Sequence, residues 1–193
     1  MKATITKPMV LKAAATLANG GYSGSALQFV RHGDKLDICG TNNYVAVIAS
    51  VDAKFSRWPD GEGFRFNGAE VQALMRGSSK ALRNTDSLVI EMANGSASVT
   101  LDVQGASVAT GFPYAEQRKP LNVERILEAC DEGPDGNAKG VSAYFMGLAS
   151  NAMRTISDGK YCAWTFKEHG LTNPMEFISK MEPARVLVMP SAH

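Results

Sequence analysis

Cysteine is scarce and scattered. The 193-residue chain has three, Cys39, Cys130 and Cys162, an odd number with no Cys-x-x-Cys pair. That spacing offers neither a disulfide framework nor a zinc site, and leaves buried free thiols as the simplest reading. Histidine is equally sparse: His32, His169 and His193 stand far apart, so no metal centre is expected. No run approaches the roughly 20 apolar residues of a membrane span, and the start lacks the apolar core of a secretion signal. A cytoplasmic protein with no membrane role is the expectation. Walker loop, dinucleotide fingerprint and nucleophile elbow are all missing, and Gly20-Gly21 and Gly61-Glu62-Gly63 read as turn glycines. These absences argue against an enzyme, and no cofactor is implied.

Net charge is small as well, +1, but it is unevenly placed. Three helical windows (7–18, 69–83 and 143–157) hold Lys7, Lys12, Arg76, Lys80, Arg83 and Arg154 against one acid, Glu70, in a first helical turn where the macrodipole favours a carboxylate. The remainder holds fourteen basic and eighteen acidic residues. Lys and Arg are good helix formers on any solvated face, yet Glu is nearly as good and would appear in similar numbers. One-sided basic helices point to a polyanion.

What the chain does have is repetition. A strand, a short helix and a run of strand-like segments recur three times, about sixty residues apart, so the copies are expected to pack side by side. The first copy runs from Ala3–Thr6 into a helix over Pro8–Ala18, whose apolar stripe is Val10, Leu11, Ala14, Leu17 and Ala18. Pro8 suits an early helical position and Asn19-Gly20-Gly21 a stop. Strands follow at Ala26–Arg31, Lys35–Gly40 and Tyr44–Val51, with a turn at His32-Gly33-Asp34. Asp52–Gly63 reads as a polar link. The second copy has Phe64–Asn67, a helix from Ala69 to Arg76, and strands at Ser87–Ala93, Ala97–Val103 and Ala106–Gly111 around the hairpin signal Asn94-Gly95. Gly77-Ser78-Ser79 either ends that helix or lies within it. Residues 112–138 are irregular, with Leu121–Cys130 a short helix or an extended connector. The third copy has Lys139–Ser142 as its lead strand, a helix over Ala143–Ile156, and strands at Tyr161–Lys167, Met175–Met181 and Arg185–Met189. The last strand is expected to tie the tail into a sheet.

Three motifs sit at matching places in these copies: Gly40-Thr41-Asn42-Asn43-Tyr44-Val45-Ala46, the run Gly111-Phe112-Pro113-Tyr114 to Pro120, and Val186-Leu187-Val188-Met189-Pro190. Together with the repeat they resemble the bacterial DNA sliding clamps, the DNA polymerase III beta subunit family, in a shortened form. The resemblance implies an α+β protein of DNA-clamp fold, with repeated β-α-β-β-β units and helices on one face of mostly antiparallel sheets. Residues 1–120 would be one complete clamp-like domain of two units, and 121–193 half of another, matching the end of the clamp's last domain. The implied activity is non-enzymatic: a replication processivity factor that binds duplex DNA without reading bases and tethers a polymerase or clamp-loader type partner.

By the same resemblance, Lys7, Lys12, Arg76, Lys80, Arg83 and Arg154 would face the duplex. Tyr44, Ala46, Pro113, Leu187, Met189 and Pro190 would line a pocket for a partner peptide, or else be core. Arg118 and Ala46 depart from the family pattern there. An unpaired third unit would need a partner, most simply the third unit of a neighbour in a homo-oligomer, with four chains completing a ring. The competing function is a clamp-fold adaptor or antagonist that binds replication proteins without encircling DNA.

Overall fold

The computed structural model describes residues 1–19, 21–75, 82, 85, 87–103, 106–113, 120–123, 125, 127–128, 140–160, 163–168 and 173–190. Unit one is β1 (Lys2–Ile5), α1 (Pro8–Ala18), β2 (Ala26–His32), β3 (Lys35–Thr41) and β4 (Val45–Ser56). Unit two is β5 (Gly63–Asn67), α2 (Gly68–Met75), β6 (Leu88–Ala93), β7 (Ser96–Val103) and β8 (Ala106–Pro113). Unit three is α3 (Ala143–Ile156), β9 (Trp164–Lys167), β10 (Met175–Ser179) and β11 (Ala184–Val188). Among the described residues every strand pairing is antiparallel. This is the α+β arrangement the sequence implies.

Units one and two are joined by exchange. The lead strand β1 lies along β6 of unit two, and β5 of unit two lies along β2 of unit one. The path β5-β2-β3-β4-β1-β6-β7-β8 results. β4 is the branch point. Its Val45–Ala49 half pairs with β11, and Ala53–Ser56 on the same edge pairs with β1.

The helices cover one face. On α1, Val10, Leu11, Ala13, Ala14, Ala15, Leu17 and Ala18 are all buried, because α1 is enclosed by β3, β4 and α3 together. The alanines allow that closeness, and Gly40 completes it: a Cβ there would stand 2.1 Å from the carbonyl oxygen of Ala14. Helix α2 starts on a capping box, in which the Asn67 N–H donates to Glu70 Oε2 (2.7 Å) and the Glu70 N–H to Asn67 Oδ1 (3.0 Å), meeting two orphan donors reciprocally. Between helices and sheet, alternate residues of each strand fill a single core: Leu27 and Phe29, Leu36 and Ile38, Val45, Val47 and Val51, and Val186 and Val188. Phe29, Phe64 and Phe66 meet at centroid distances of 5.1–6.1 Å.

The structure corrects three sequence expectations and decides one that was open between two forms. β4 continues to Ser56 through the supposed polar link, because Ala53 and Phe55 turn inward while Asp52 and Ser56 stay exposed. That link also carries Trp58, buried, with its indole N–H donating to the Glu62 carbonyl (2.8 Å). Gly140–Ser142 form no strand, so unit three lacks the lead strand read at 139–142, of which Lys139 lies outside the described residues. The third unit is not unpaired within its chain: β11 extends the sheet at β4, and α3 packs on α1. Over 121–130, Val123, Arg125, Leu127 and Glu128 are helical, with the Arg125 N–H donating to Asn122 Oδ1 (2.9 Å).

Candidate nucleic-acid face and partner groove

The cations expected to meet DNA are only partly gathered on the helix side. Lys7, the residue before α1, is turned to the third unit, where its Nζ meets Glu182 Oε2 at 2.7 Å. Both side chains keep some solvent, 43% and 23% exposed. An expected phosphate contact is thus engaged in an intrachain ion pair that ties unit three to unit one. Lys12 lies half-buried on the outer stripe of α1, next to exposed Thr16 one turn on. Arg154 is exposed in the last turn of α3, where its Nη2 donates to Asn151 Oδ1 (3.3 Å) and its charge suits the helix C-terminus. Since α1 and α3 are neighbours, Lys12 and Arg154 belong to one layer. Arg76, Lys80 and Arg83 lie outside the described residues.

The opposite, outer face of the sheet holds a groove. Register fixes its floor: Arg65, Gln28, Cys39, Ile48, Arg185 and Ile178 stand opposite one another across β5, β2, β3, β4, β11 and β10. A cavity of about 620 Å³ is lined by Gln28, Ile48, Arg185 and Ile178 of this row, and its wall is the segment Pro120–Val123 with Leu127. Gln28, 2% exposed, fastens that wall: its Nε2 donates to the Leu121 carbonyl (3.0 Å) and its Oε1 accepts from the Leu121 N–H (2.7 Å). Cys39, Ile48 and Leu187 make an apolar patch to which Ala46, Val123 and Leu127 add. Burial pushes the Cys39 thiol up to about 12, against the opposing pull of Arg65, so it is a neutral packing group. Charges stand at the ends: His32 Nδ1 lies 2.6 Å from Asp37 Oδ2, and Arg185 Nη1 lies 2.9 Å from Glu176 Oε1, a fully buried carboxylate.

Four of the six expected pocket residues come together at one end of the β4–β11 seam. Ala46 and Leu187 are register partners on the outer face. Beyond them the Met189 N–H donates to the Tyr44 carbonyl (2.8 Å), and Met189 is 39% exposed. The turn before β4 is fixed by Asn42, whose Oδ1 accepts from the N–H groups of Tyr44 (3.0 Å) and Val45 (2.8 Å). That turn presents the Tyr44 ring to Phe145 of α3, stacked at 4.4 Å. Pro190 follows, half-buried. Pro113 ends β8 on the other branch of the sheet, paired with Ser96. The cavity lies further along the seam, so sequence reasoning missed Gln28, Val30, Val123 and Leu127. The outward phase of β2 carried the signal for the first two. Among the described residues no cluster of His, Cys, Asp and Glu is placed to hold a metal, and no helix is long and apolar enough to cross a membrane.

No protein-family model matches the sequence, and no curated protein matches it. Solved structures do match in fold. A putative DNA polymerase III beta subunit from Eubacterium rectale ATCC 33656 superposes with a TM-score of 0.62 at 10% identity, covering 100% of this chain and 66% of that one. The DNA polymerase III subunit beta of Pseudomonas aeruginosa gives 0.60 at 10% identity, with 100% and 67% covered. PCNA of A. fulgidus, bound to the C-terminal region of FEN-1, gives 0.58 at 11% identity, with 100% and 99% covered. The chain spans about two thirds of the length of the bacterial beta subunits it matches. A helix layer on one face, exchanged lead strands and a whole-chain match together establish that this protein has the fold of the DNA sliding clamps.

Proposed function

We propose that this chain is a non-enzymatic, sliding-clamp-like replication factor that holds duplex DNA non-specifically on its helix side and a partner protein in the groove of its outer sheet face. The observation that carries the reading is the whole-chain match to clamps, with helices and groove on opposite faces of one sheet. Lys12 and Arg154, with Arg76, Lys80 and Arg83, would meet phosphates and leave the bases unread. The groove suits a short apolar peptide: Val30, Ile48 and Ile178 line its floor, Val123 and Leu127 its wall, and charged pairs stand at its ends, while Met189 gives an adaptable surface at the Tyr44 end of the same seam. The A. fulgidus clamp that this chain resembles in fold was solved with the C-terminal region of FEN-1 bound, a precedent for a peptide segment as the partner. Residues 1–120 are read as a complete domain and 121–193 as half of one.

Duplex affinity measured across a salt series tests the DNA arm. Affinity should fall steeply with salt, and Lys12→Glu with Arg154→Glu should flatten the log–log slope by about one unit per cation removed. Salt-independent or absent binding sinks this arm and leaves a clamp-fold adaptor or antagonist, the reading that the pairing of Lys7 with Glu182 favours. For the Tyr44–Met189 end of the seam, Met189→Glu should abolish binding of a clamp-binding peptide while the melting curve stays put. Unchanged peptide affinity would remove that end of the seam from the partner site.

A further inference from the structure

Helices α1 and α3 pack side by side, and a cleft of about 90 Å³ lies between them. Its walls are apolar: Ala13 and Leu17 on α1, Leu148 and Ala152 on α3. One lining residue, Asn42, is polar and only 1% exposed. Its Oδ1 accepts from the N–H groups of Tyr44 and Val45, which settles which end of the amide is oxygen. Nδ2 is therefore a fixed donor, and among the described residues it has no partner. Buried amide donors are nearly always paired, so the cleft offers a ligand a hydrogen bond that the chain itself leaves unmade.

One end of the cleft is aromatic. Tyr22, just past α1, and Tyr144, in the first turn of α3, both line it, and Tyr144 is 59% exposed. The Tyr144 hydroxyl is near enough to hold the Tyr22 phenol above its ordinary pKa, chiefly through a hydrogen bond. Tyr44 stands edge-on to Tyr22 at 5.5 Å, and Phe145 edge-on to Tyr144 at 5.6 Å, so neighbouring rings buttress both tyrosines. The helices that form the cleft also bring cations to it. Lys12 adjoins Ala13 on α1, and Arg154 is hydrogen-bonded to Asn151, which lines the cleft together with Thr155. Ten residues of α3, about 15 Å, separate Tyr144 from Arg154.

We propose that this cleft takes one unpaired nucleotide, its base held against Tyr22 and Tyr144 with a carbonyl oxygen or ring nitrogen accepting from Asn42 Nδ2, and its phosphate towards Lys12 and Arg154. A flat ring with acceptors on its edge, joined to an anion, meets all three features at once, and stacking of this kind is tolerant of sequence. A base of a single strand and a free nucleotide share that chemistry. The cleft holds one base and not a base pair, so it is a site apart from any duplex on the helix side. It adds a ligand to the function proposed above without resting on it, since a single strand can fill the cleft whether or not a duplex is held.

Calorimetric titration of the full chain with a short oligothymidylate, an abasic phosphodiester of equal length and thymidine monophosphate tests it. The oligothymidylate should bind about five- to 150-fold more tightly than the abasic strand, the worth of one stacked base. Tyr144→Ala should remove that advantage. Its side chain is exposed, so the far-ultraviolet spectrum and melting temperature should stay as in wild type. In nuclear magnetic resonance spectra of the wild-type chain, the Asn42 side-chain amide signals should move as the oligothymidylate is added. Movement with thymidine monophosphate as well assigns the site to free nucleotides too, and movement with the oligomer alone assigns it to single strands. Equal affinity for the abasic strand overturns the proposal, as do unmoved Asn42 signals, an unaltered Tyr144→Ala variant or no binding of any of the three. Duplex affinity, measured alongside, should not change in Tyr144→Ala, so the duplex reading can fail while this one stands, and the reverse.

Discussion

Gln28→Ala should free the wall of the groove while leaving the sheet beneath it intact. The side chain makes two neutral hydrogen bonds to one residue, Leu121, at 3.0 and 2.7 Å, across 93 positions of sequence. Each is worth about 0.5–1.5 kcal/mol net, so the wall should lose about 1–3 kcal/mol of local stability, and amide exchange at Leu121 should quicken by about five- to hundredfold. Leu121 is only half-buried, so water can take over its N–H and carbonyl, which keeps the cost local. Global unfolding should shift far less than Leu121 exchange. Gln28→Glu refines the test. A carboxylate can still accept from the Leu121 N–H but has no proton for the carbonyl, so the wall should loosen at neutral pH. Burial raises the pKa of such a carboxyl, and its protonated form restores the donor, so the defect should shrink as pH falls. Hydrogen exchange read by mass spectrometry at two pH values is the assay. Exchange at Leu121 equal to wild type in Gln28→Ala would refute the idea that this amide fastens the wall.

Three further outcomes follow from the geometry. Gly40→Ala sets a Cβ 2.1 Å from the Ala14 carbonyl oxygen, so α1 must shift; urea unfolding should show a loss of about 3 kcal/mol, and a loss under 1 kcal/mol would mean α1 is free to move. Lys7→Ala with Glu182→Gln in a double-mutant cycle should give a coupling of at most about 1 kcal/mol, fading with salt, because both partners retain solvent; a salt-insensitive coupling would contradict this. Cys39, held neutral by burial with its pKa pushed up to about 12 from 9.0, should resist thiol reagents at neutral pH until the chain unfolds. Its contribution to stability is whole below pH 9.0 and declines as pH rises towards 12, since the unfolded thiol ionises first; peptide mapping of labelled native protein checks the reactivity, and prompt labelling of Cys39 would be fatal to it.

Local signals in the sequence translated well into local structure. Pro8 opens α1, and Asn94-Gly95 and Gly33 take the positive φ angles that tight hairpins need, at 51°, 71° and 61°. The apolar stripes of α1 and α3 face the core as spacing implies. What stayed hidden depends on contacts made far along the chain. Asp52–Ser56 looks like a loop by composition, yet the exposed Asp52 and Ser56 bracket a strand whose inward residues are Ala53 and Phe55. The groove could not be placed, because its floor combines β2, β4 and β11, and nothing local states that β11 will lie beside β4 in unit one. Lys7 has the same lesson in charge. Its helix window suggests a phosphate, but its partner is an acid 175 residues away.

The branch at β4 sets a rule for how this gene can drift in length. One edge of the strand serves β11 through Ala49 and β1 from Ala53, so both partners depend on a single run of alternation. One codon added between those points would keep the inward phase at Val45, Val47 and Ala49 and reverse it beyond, driving Lys54 inward and Phe55 out. Two codons would restore the phase at the cost of a bulge. Insertions in this stretch should therefore survive in pairs or not at all, whereas the hairpin tip at Asn94-Gly95, with no second sheet to satisfy, carries no such parity.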